Sequence, residues 1–114
     1  MSLSAREMVK AIQTEMRSCV DIPGDRASEM LNQATSLLGN CLEALRHADV
    51  AYKQILLHCL RTAEKANRAK IEAETSPQYL AFLEARDTVK LTEQMIISLR
   101  SYLRNKEAEM RMSR

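Results

Sequence analysis

A seven-residue repeat that stops once and then resumes constrains the fold of this chain more than any other feature. Its first series is Leu31, Leu38, Leu45, Tyr52, Cys59, Ala66 and Ala73, and its second is Phe82, Val89, Ile96, Leu103 and Met110. Between them, Thr-Ser-Pro at 75–77 interrupts the pattern with a helix breaker. Two helices that share one heptad period and meet at a tight break predict an antiparallel helical hairpin.

Local signals set the expected helix ends within one helical domain, residues 1–114. Ser4 and Glu7 have the spacing of a capping box at the start of a first helix. Ser76 and Pro77 are a favoured cap and first residue for the last helix. The sequence therefore predicts an all-α fold, a long coiled-coil-like antiparallel hairpin with a short N-terminal helix, assembled into an oligomeric helical bundle. The three expected helices cover about 5–20, 26–74 and 77–110.

The breaker also sets the expected register of the hairpin, because heptad positions of the two helices face each other. The predicted pairs are Ala73 with Phe82, Ala66 with Val89, Cys59 with Ile96, Tyr52 with Leu103, and Leu45 with Met110. From 61 to 75 the second helix is rich in charge and its seam narrows to alanine. That stretch is interpreted as a solvated two-helix arm.

Apolar residues beside the seam of the second helix predict an interface with another chain. They are Val50, Leu56, Leu57 and Leu60. A helix that is apolar on several sides is buried on several sides, and one hairpin with one short helix cannot cover all of them. We expect a homo-oligomer, with a dimer favoured because symmetric pairs are the commonest assemblies, and an unidentified protein partner in addition.

Charge and cysteine content predict the compartment rather than the activity. With 17 Lys and Arg against 15 Asp and Glu, the formal charge of +2 is no strong electrostatic signature. Cys19, Cys41 and Cys59 form an odd, widely spaced set typical of reduced thiols. No apolar run approaches the roughly 20 residues of a membrane span, and the first residues lack the apolar core of a signal peptide. We therefore expect a cytoplasmic protein without a membrane partner.

No residue pattern in the chain predicts catalysis, a cofactor or a metal centre. Cys41, His47, His58 and Cys59 lack the close spacings of a four-ligand zinc site. A cysteine on a helix seam behaves as a small hydrophobe. With only two glycines, the chain has no glycine-rich phosphate loop. We expect no catalytic, cofactor-binding or metal-binding residues and no enzyme activity.

Basic residues on the predicted arm make nucleic acid an alternative partner. Arg61, Lys65 and Arg68 have the spacing of one helix face, and the predicted register brings Arg86 and Lys90 close to them across the hairpin. Such a patch would hold phosphates without reading sequence. Acidic residues interleave with the basic ones, as on a solvated coiled-coil flank, so nucleic acid is not the favoured partner.

Two stretches, 69–87 and 96–104, carry a family resemblance. In the first a charged helix meets Ser-Pro-Gln-Tyr, and the second, Ile-Ile-Ser-Leu-Arg-Ser-Tyr-Leu-Arg, ends a heptad helix in Leu-Arg. Together with Val89-Lys-Leu between them, they resemble small helical proteins encoded in phage and prophage genomes. The resemblance implies a small helical protein from a group of mostly unknown function, and it carries no catalytic residues to transfer. Secreted hairpins with a Trp-x-Gly turn are also similar in size, but this chain has no Trp.

The sequence as a whole favours a non-enzymatic helical protein that works through self-association and partner binding, with a phage origin implied by the resemblance. Two alternatives stay open. One is a nucleic-acid accessory protein that binds phosphates through the basic arm, and it predicts binding that weakens steeply with salt. The other is a secreted helical-hairpin protein, which predicts export from the producing cell.

Overall fold

The computed structural model of the chain describes residues 3–18 and 21–112, which form four α-helices and no strand. The all-α fold class predicted from the sequence is therefore confirmed. No helix in the described ranges is both long enough and apolar enough to cross a membrane. The helices are α1 (Ala5–Ser18), α2 (Gly24–Thr62), α3 (Ala66–Glu74) and α4 (Pro77–Met112).

Serine caps begin two helices where the sequence predicts them. The Ser4 hydroxyl accepts a hydrogen bond from the backbone N–H of Glu7 at 3.2 Å, at the start of α1. The Ser76 hydroxyl accepts one from the backbone N–H of Tyr79 at 3.2 Å, just before Pro77 opens α4. Each bond satisfies an amide that the first helical turn leaves without an internal partner. Both predicted helix starts are thus confirmed.

The predicted second helix is wrong in one respect, because it is two helices, α2 and α3, joined by a short link (residues 63–65). The Ala63 N–H still donates to the Cys59 carbonyl at 2.9 Å, and the helical pattern resumes when the Ala69 N–H donates to the Lys65 carbonyl at 3.1 Å. Lys65 itself is extended, with φ −127° and ψ 139°. The link contains neither proline nor glycine. Tertiary packing of α3 against α2 therefore overrides the local helix propensity.

Two compact units share the long helices α2 and α4. Within the described residues, the first unit comprises the chain up to Asn40 and from Lys90 onward, so it contains α1, the start of α2 and the end of α4. The second unit, Cys41–Val89, contains the end of α2, all of α3 and the start of α4. The division falls inside two continuous helices, so the single domain expected from the sequence stays a prediction.

In the first unit, α1 folds back along the start of α2. The Arg26 guanidinium on α2 donates two hydrogen bonds of 2.5 Å to the Glu15 carboxylate on α1. In the turn between the two helices, the N–H of Ile22 donates to the Tyr102 hydroxyl of α4 at 2.9 Å. The buried apolar residues of this unit are Val9, Ile12, Ile22, Ala27, Met30, Ala34, Leu37, Met95, Ile96 and Leu99.

In the second unit, α3 packs against the end of α2 through small residues. Ala69 and Ala73 are fully buried and form a cluster with Cys59, which we call the Cys59 cluster. Small side chains let the two helices approach closely. The stretch that the sequence placed in a solvated arm therefore buries its alanine face within the unit. The residues packed against the cluster are Tyr52, Ile55, Leu56 and Ala63.

The predicted register between α2 and α4 is wrong. Tyr52 packs against Tyr79 and Phe82, with ring centroids 4.9 and 5.7 Å apart, whereas the prediction paired Tyr52 with Leu103. Ala73, which was expected opposite Phe82, lies in the Cys59 cluster instead. The cause is α3, because it occupies the end of α2 and α4 consequently starts beside the middle of α2.

Candidate self-association surface

Three of the four residues predicted to form an oligomer interface are exposed along one side of α2. Val50, Leu57 and Leu60 are 50, 48 and 47% exposed. Their spacing of seven and then three residues places them on one stripe of the helix, the α2 stripe (Val50, Leu57 and Leu60). The fourth residue, Leu56, is half-buried and packs against the Cys59 cluster of its own chain. Leu56 is therefore packed within its own unit, whereas the side chains of the α2 stripe stay accessible.

A charged pair borders the α2 stripe. Lys53 lies between Val50 and Leu57 in the chain, and its ammonium donates a hydrogen bond to the Asp49 carboxylate at 3.0 Å. Such an accessible pair contributes little to stability. Because the two charges offset each other, the stripe combines exposed aliphatic surface with one polar position, as many coiled-coil seams do.

A cleft between α2 and α4 of the second unit combines apolar walls with two arginines. The Arg86 guanidinium lies 5.9 Å from the centre of the Phe82 ring, within cation–π range. Asp49 pairs with Lys53, and the Asp87 carboxylate lies 4.0 Å from the Arg86 Nε. These carboxylates offset part of the positive charge, and Arg46 contributes the rest. The cleft therefore suits an apolar side chain accompanied by a carboxylate. It has a volume of about 360 Å³ and is lined by Leu42, Leu45, Arg46, Asp49, Phe82 and Arg86.

Aromatic rings hold the start of α4 against α2. Besides their contacts with Tyr52, Tyr79 and Phe82 lie 6.3 Å apart between ring centroids. Burial raises the pKa of the Tyr52 hydroxyl, and the nearby Glu74 carboxylate acts in the same direction. Tyr52 thus stays protonated at neutral pH, and its ring packs against those of Tyr79 and Phe82.

Three of the predicted nucleic-acid contacts lie around the link, but not on one helix face. The link ends α2 between Arg61 and Arg68, so helical spacing no longer aligns them with Lys65. Lys65 and Arg68 line a polar cleft of about 570 Å³ together with the carboxylates of Glu64 and Glu72. Arg68 Nε lies 3.6 Å from the Glu72 carboxylate. Acidic groups therefore share this surface with the basic ones.

The other two predicted contacts lie elsewhere. Arg86 lines the α2–α4 cleft, and its Nε is 4.0 Å from the Asp87 carboxylate. Lys90 is exposed and belongs to the first unit. The corrected register thus removes the reason for grouping Arg86 and Lys90 with the basic residues around the link.

Sequence reasoning missed an apolar groove between α1 and α2 in the first unit. Its volume is about 540 Å³, and its apolar wall includes Leu3, Met8 and Ile12. On its polar side, hydrogen bonding between Glu15 and Arg26 lowers the pKa of the carboxyl and raises the pKa of the guanidinium, so both stay charged. The helical spacing of Met8 and Ile12 is the sequence signal that could have revealed this groove.

The cysteines of the described residues lie in packed positions. Cys41 and Cys59 are buried, reduced thiols, and Cys19 lies outside the described ranges. His47 and His58 are exposed. In the described part of the chain, no group of three or more His, Cys, Asp or Glu side chains could hold a metal ion. The buried thiols fill space as small apolar groups.

No protein-family model, no curated protein and no solved structure matches this chain. The candidate site therefore rests on geometry. Among the surfaces described, the α2 stripe is the one that aligns exposed aliphatic side chains along a single helix. It is the strongest candidate for a functional surface.

Proposed function

We propose that this chain is a non-enzymatic helical protein that acts by self-association and by binding another protein. The α2 stripe is the observation that supports this most, because aligned, exposed aliphatic side chains are typical of protein interfaces. The non-enzymatic role rests on the sequence, which carries no catalytic or phosphate-binding motif. The resemblance to small phage proteins supports a phage origin, and the reduced thiols support a cytoplasmic location.

The exposed area of the α2 stripe limits how strong a dimer it can form. Fully burying a Val or Leu side chain contributes about 1.5–3 kcal/mol. Because each of the three side chains is already about half covered, two stripes packed together contribute about 4.5–9 kcal/mol. Association costs about 4–15 kcal/mol. The stripe alone therefore supports a weak dimer, and a stable one needs further contact.

Leu57→Glu tests self-association, because it places a charge in the middle of the α2 stripe. Because the stripe alone supports a weak dimer, we expect light scattering at a concentration of about 1 mM to give a dimer for the unmodified chain and a monomer of 13.0 kDa for the variant. Since Leu57 is half exposed, the variant should keep its helical circular dichroism. Ile97→Glu is the matched control, because Ile97 is an exposed aliphatic residue on α4, and this variant should stay dimeric.

Two outcomes would contradict the proposal in different ways. A monomeric unmodified chain would show that the α2 stripe does not bind a second copy. A Leu57→Glu variant that dimerises as tightly as the unmodified chain would place the interface on another surface.

The α2–α4 cleft supports the second part of the proposal, the binding of a different protein. Arg46 and Arg86 beside the apolar Leu42, Leu45 and Phe82 favour a partner segment with an acidic and an apolar side chain. Arg46→Glu should weaken capture of such a partner and leave the dimer intact. If Arg46→Glu weakened both partner capture and dimer formation, the cleft and the α2 stripe would not be separate binding surfaces.

Nucleic acid stays an alternative partner, supported by the exposed Arg61, Lys65 and Arg68 around the link. A gel-shift measurement with nucleic acid over a salt series tests this alternative. Phosphate binding must weaken steeply as salt rises, whereas a dimer held by aliphatic side chains should persist. The absence of any shift at low salt would exclude the alternative.

A further inference from the structure

The α2–α4 cleft has two helical walls, and their geometry limits the kind of segment that can enter it. Its four α2 positions have the i, i+3, i+4, i+7 spacing of one helix face, and its two α4 positions are one turn apart. They are Leu42, Leu45, Arg46 and Asp49 on α2, and Phe82 and Arg86 on α4. The α2 wall is therefore about two turns long, about 10.5 Å at a rise of about 1.5 Å per residue.

The walls of the cleft offer side chains rather than backbone groups to a partner. Because the lining residues lie inside α2 and α4, their N–H and C=O groups are used in the hydrogen bonds of those helices. A partner strand needs an open sheet edge, and a proline-rich segment needs a groove lined with aromatic rings. Phe82 is the one aromatic residue among those that line the cleft. An amphipathic helix, in contrast, needs only a groove for its side chains, so the walls favour a helical partner segment.

Arg46 provides the charge that a partner carboxylate can reach. Its side chain is exposed, and in the described part of the chain it forms no ion pair. On the other wall, the Arg86 guanidinium lies 5.9 Å from the centre of the Phe82 ring, and its Nε is 4.0 Å from the Asp87 carboxylate. A partner carboxylate should therefore bind mainly to Arg46, because a charge-assisted hydrogen bond to a guanidinium without an ion pair gains the most.

Apolar surface lies on both sides of Arg46 along the cleft. Leu42, one turn before Arg46, is 44% exposed. Phe82 is half-buried and marks the other end, because it also packs against Tyr52, which lies beyond Asp49 on α2. A helix repeats its face after seven residues, about 10.5 Å, which is the length of the α2 wall. Two aliphatic side chains at that interval would reach both ends of the cleft, and a residue between them on the same face would meet Arg46.

We infer that the partner of the α2–α4 cleft presents an amphipathic α-helix with two aliphatic side chains seven residues apart and a glutamate on the same face between them. The aliphatic side chains pack on Leu42 and Phe82, and the glutamate carboxylate binds the Arg46 guanidinium. The inference rests on the proposed binding of another protein at this cleft and specifies the segment that binds. A helix with lysine in place of that glutamate would be rejected, because two cations would then meet in the cleft.

Binding of a stapled helical peptide tests the inference. The peptide has two leucines seven residues apart and a glutamate four residues after the first, on an alanine background. Its matched control carries glutamine in place of the glutamate. In fluorescence polarisation of the labelled peptides, with the protein at up to about 1 mM, the glutamate peptide should bind about tenfold more tightly than the glutamine peptide.

Variants of exposed α2 residues assign the contacts. Arg46→Gln should bring the two peptides to equal affinity, because it removes the cation that tells them apart. Leu42→Asn should weaken both peptides by a similar factor, since it removes apolar surface rather than charge. Arg61→Gln is the matched control, because Arg61 is an exposed arginine of α2 outside the cleft, and it should keep the difference between the peptides. All three variants should keep the helical circular dichroism of the unmodified chain.

Other results would overturn the inference, each at a different point. If an unstapled peptide with a central proline bound as tightly as the stapled one, the helix would be wrong and the acidic, apolar partner of the proposed function would stand. If the peptides still differed in affinity for Arg46→Gln, the carboxylate would bind elsewhere. If a DNA duplex displaced the labelled peptide as well as unlabelled peptide does, the cleft would be a phosphate-binding site.

The absence of binding by any of the peptides would overturn the inference and also remove the cleft from the proposed function. Self-association through the α2 stripe would be unaffected, because it is measured separately with Leu57→Glu. Failure of the dimer beside binding of the glutamate peptide would leave the inference standing.

Discussion

The Tyr102 hydroxyl meets both backbone groups of the buried Ile22, accepting from its N–H at 2.9 Å and lying 2.5 Å from its carbonyl oxygen. It also lies 2.8 Å from the Asp21 carboxylate. Because Ile22 is shielded from water, these bonds satisfy groups that would otherwise be costly to bury. The turn is predictable from Pro23, but Tyr102 lies 80 residues beyond Ile22, and no local pattern connects the two.

Tyr102→Phe should therefore destabilise the protein. Removing the hydroxyl leaves the buried Ile22 amide without its partner, which costs about 1–3 kcal/mol. Urea unfolding followed by circular dichroism measures the loss. Tyr79→Phe is the control, because Tyr79 takes part through its ring, and it should change stability far less. Equal losses in the two variants would contradict the role given to the Tyr102 hydroxyl.

At the scale of the helices, α3 is the element that sequence reasoning did not separate. The serine caps at Ser4 and Ser76 are local signals, and both helix starts follow from them. The link between Thr62 and Ala66 has no such signal, because its residues favour helix and the heptad continues through it. The chain bends because the alanines of α3 are buried against α2. This packing between helices cannot be predicted from the helix propensity of single residues.

The register error has a related cause. A heptad pattern matches itself after a shift of seven residues, so apolar spacing alone does not select one pairing of α2 with α4. Rare residues carry more information, since Tyr52, Tyr79 and Phe82 are three of the few aromatic residues in the chain and they pack together. A register chosen to bring those rings together would have been the correct one.

Ala73→Leu tests the packing of α3. Ala73 is fully buried against α2, so a larger side chain should force the two helices apart at a cost of about 1–3 kcal/mol. The change should appear as a lower midpoint of urea unfolding. Ala81→Leu is the control, because Ala81 is exposed on α4 and has room for the added atoms. If the two variants unfolded at the same midpoint, α3 would not be packed as described.

Over the whole molecule, two ion-paired carboxylates with lowered pKa values belong to the first unit. The pKa of Glu15 is lowered by its hydrogen bonds from Arg26. The pKa of Asp21 is lowered first by Lys106, whose ammonium is 2.8 Å away, and then by the Tyr102 hydroxyl. Each group therefore favours the folded state when ionised. Its contribution to the free energy of unfolding is fully present above its ordinary pKa, the value in the unfolded chain. That contribution is lost as the pH falls through the lowered pKa of the folded state.

Acid should therefore destabilise the folded protein through these two carboxyls. As the pH falls below the ordinary values of 4.5 for Glu15 and 3.8 for Asp21, the unfolding temperature should drop more steeply for the unmodified chain than for Glu15→Gln/Asp21→Asn. The two curves should converge at the lowest pH, where both carboxyls are protonated in either state. Parallel curves over the whole range would show that neither carboxyl is coupled to folding.

The aromatic contacts give the molecule its own optical labels. The chain has three tyrosines and no tryptophan, so tyrosine dominates its ultraviolet emission. Tyr52 and Tyr79 touch each other in the second unit, and Tyr102 is hydrogen-bonded in the first. Replacing Tyr102 with Phe leaves an emission that reports on the second unit alone. Replacing the other two leaves one that reports on the first, so the melting of each unit can be followed without adding a dye.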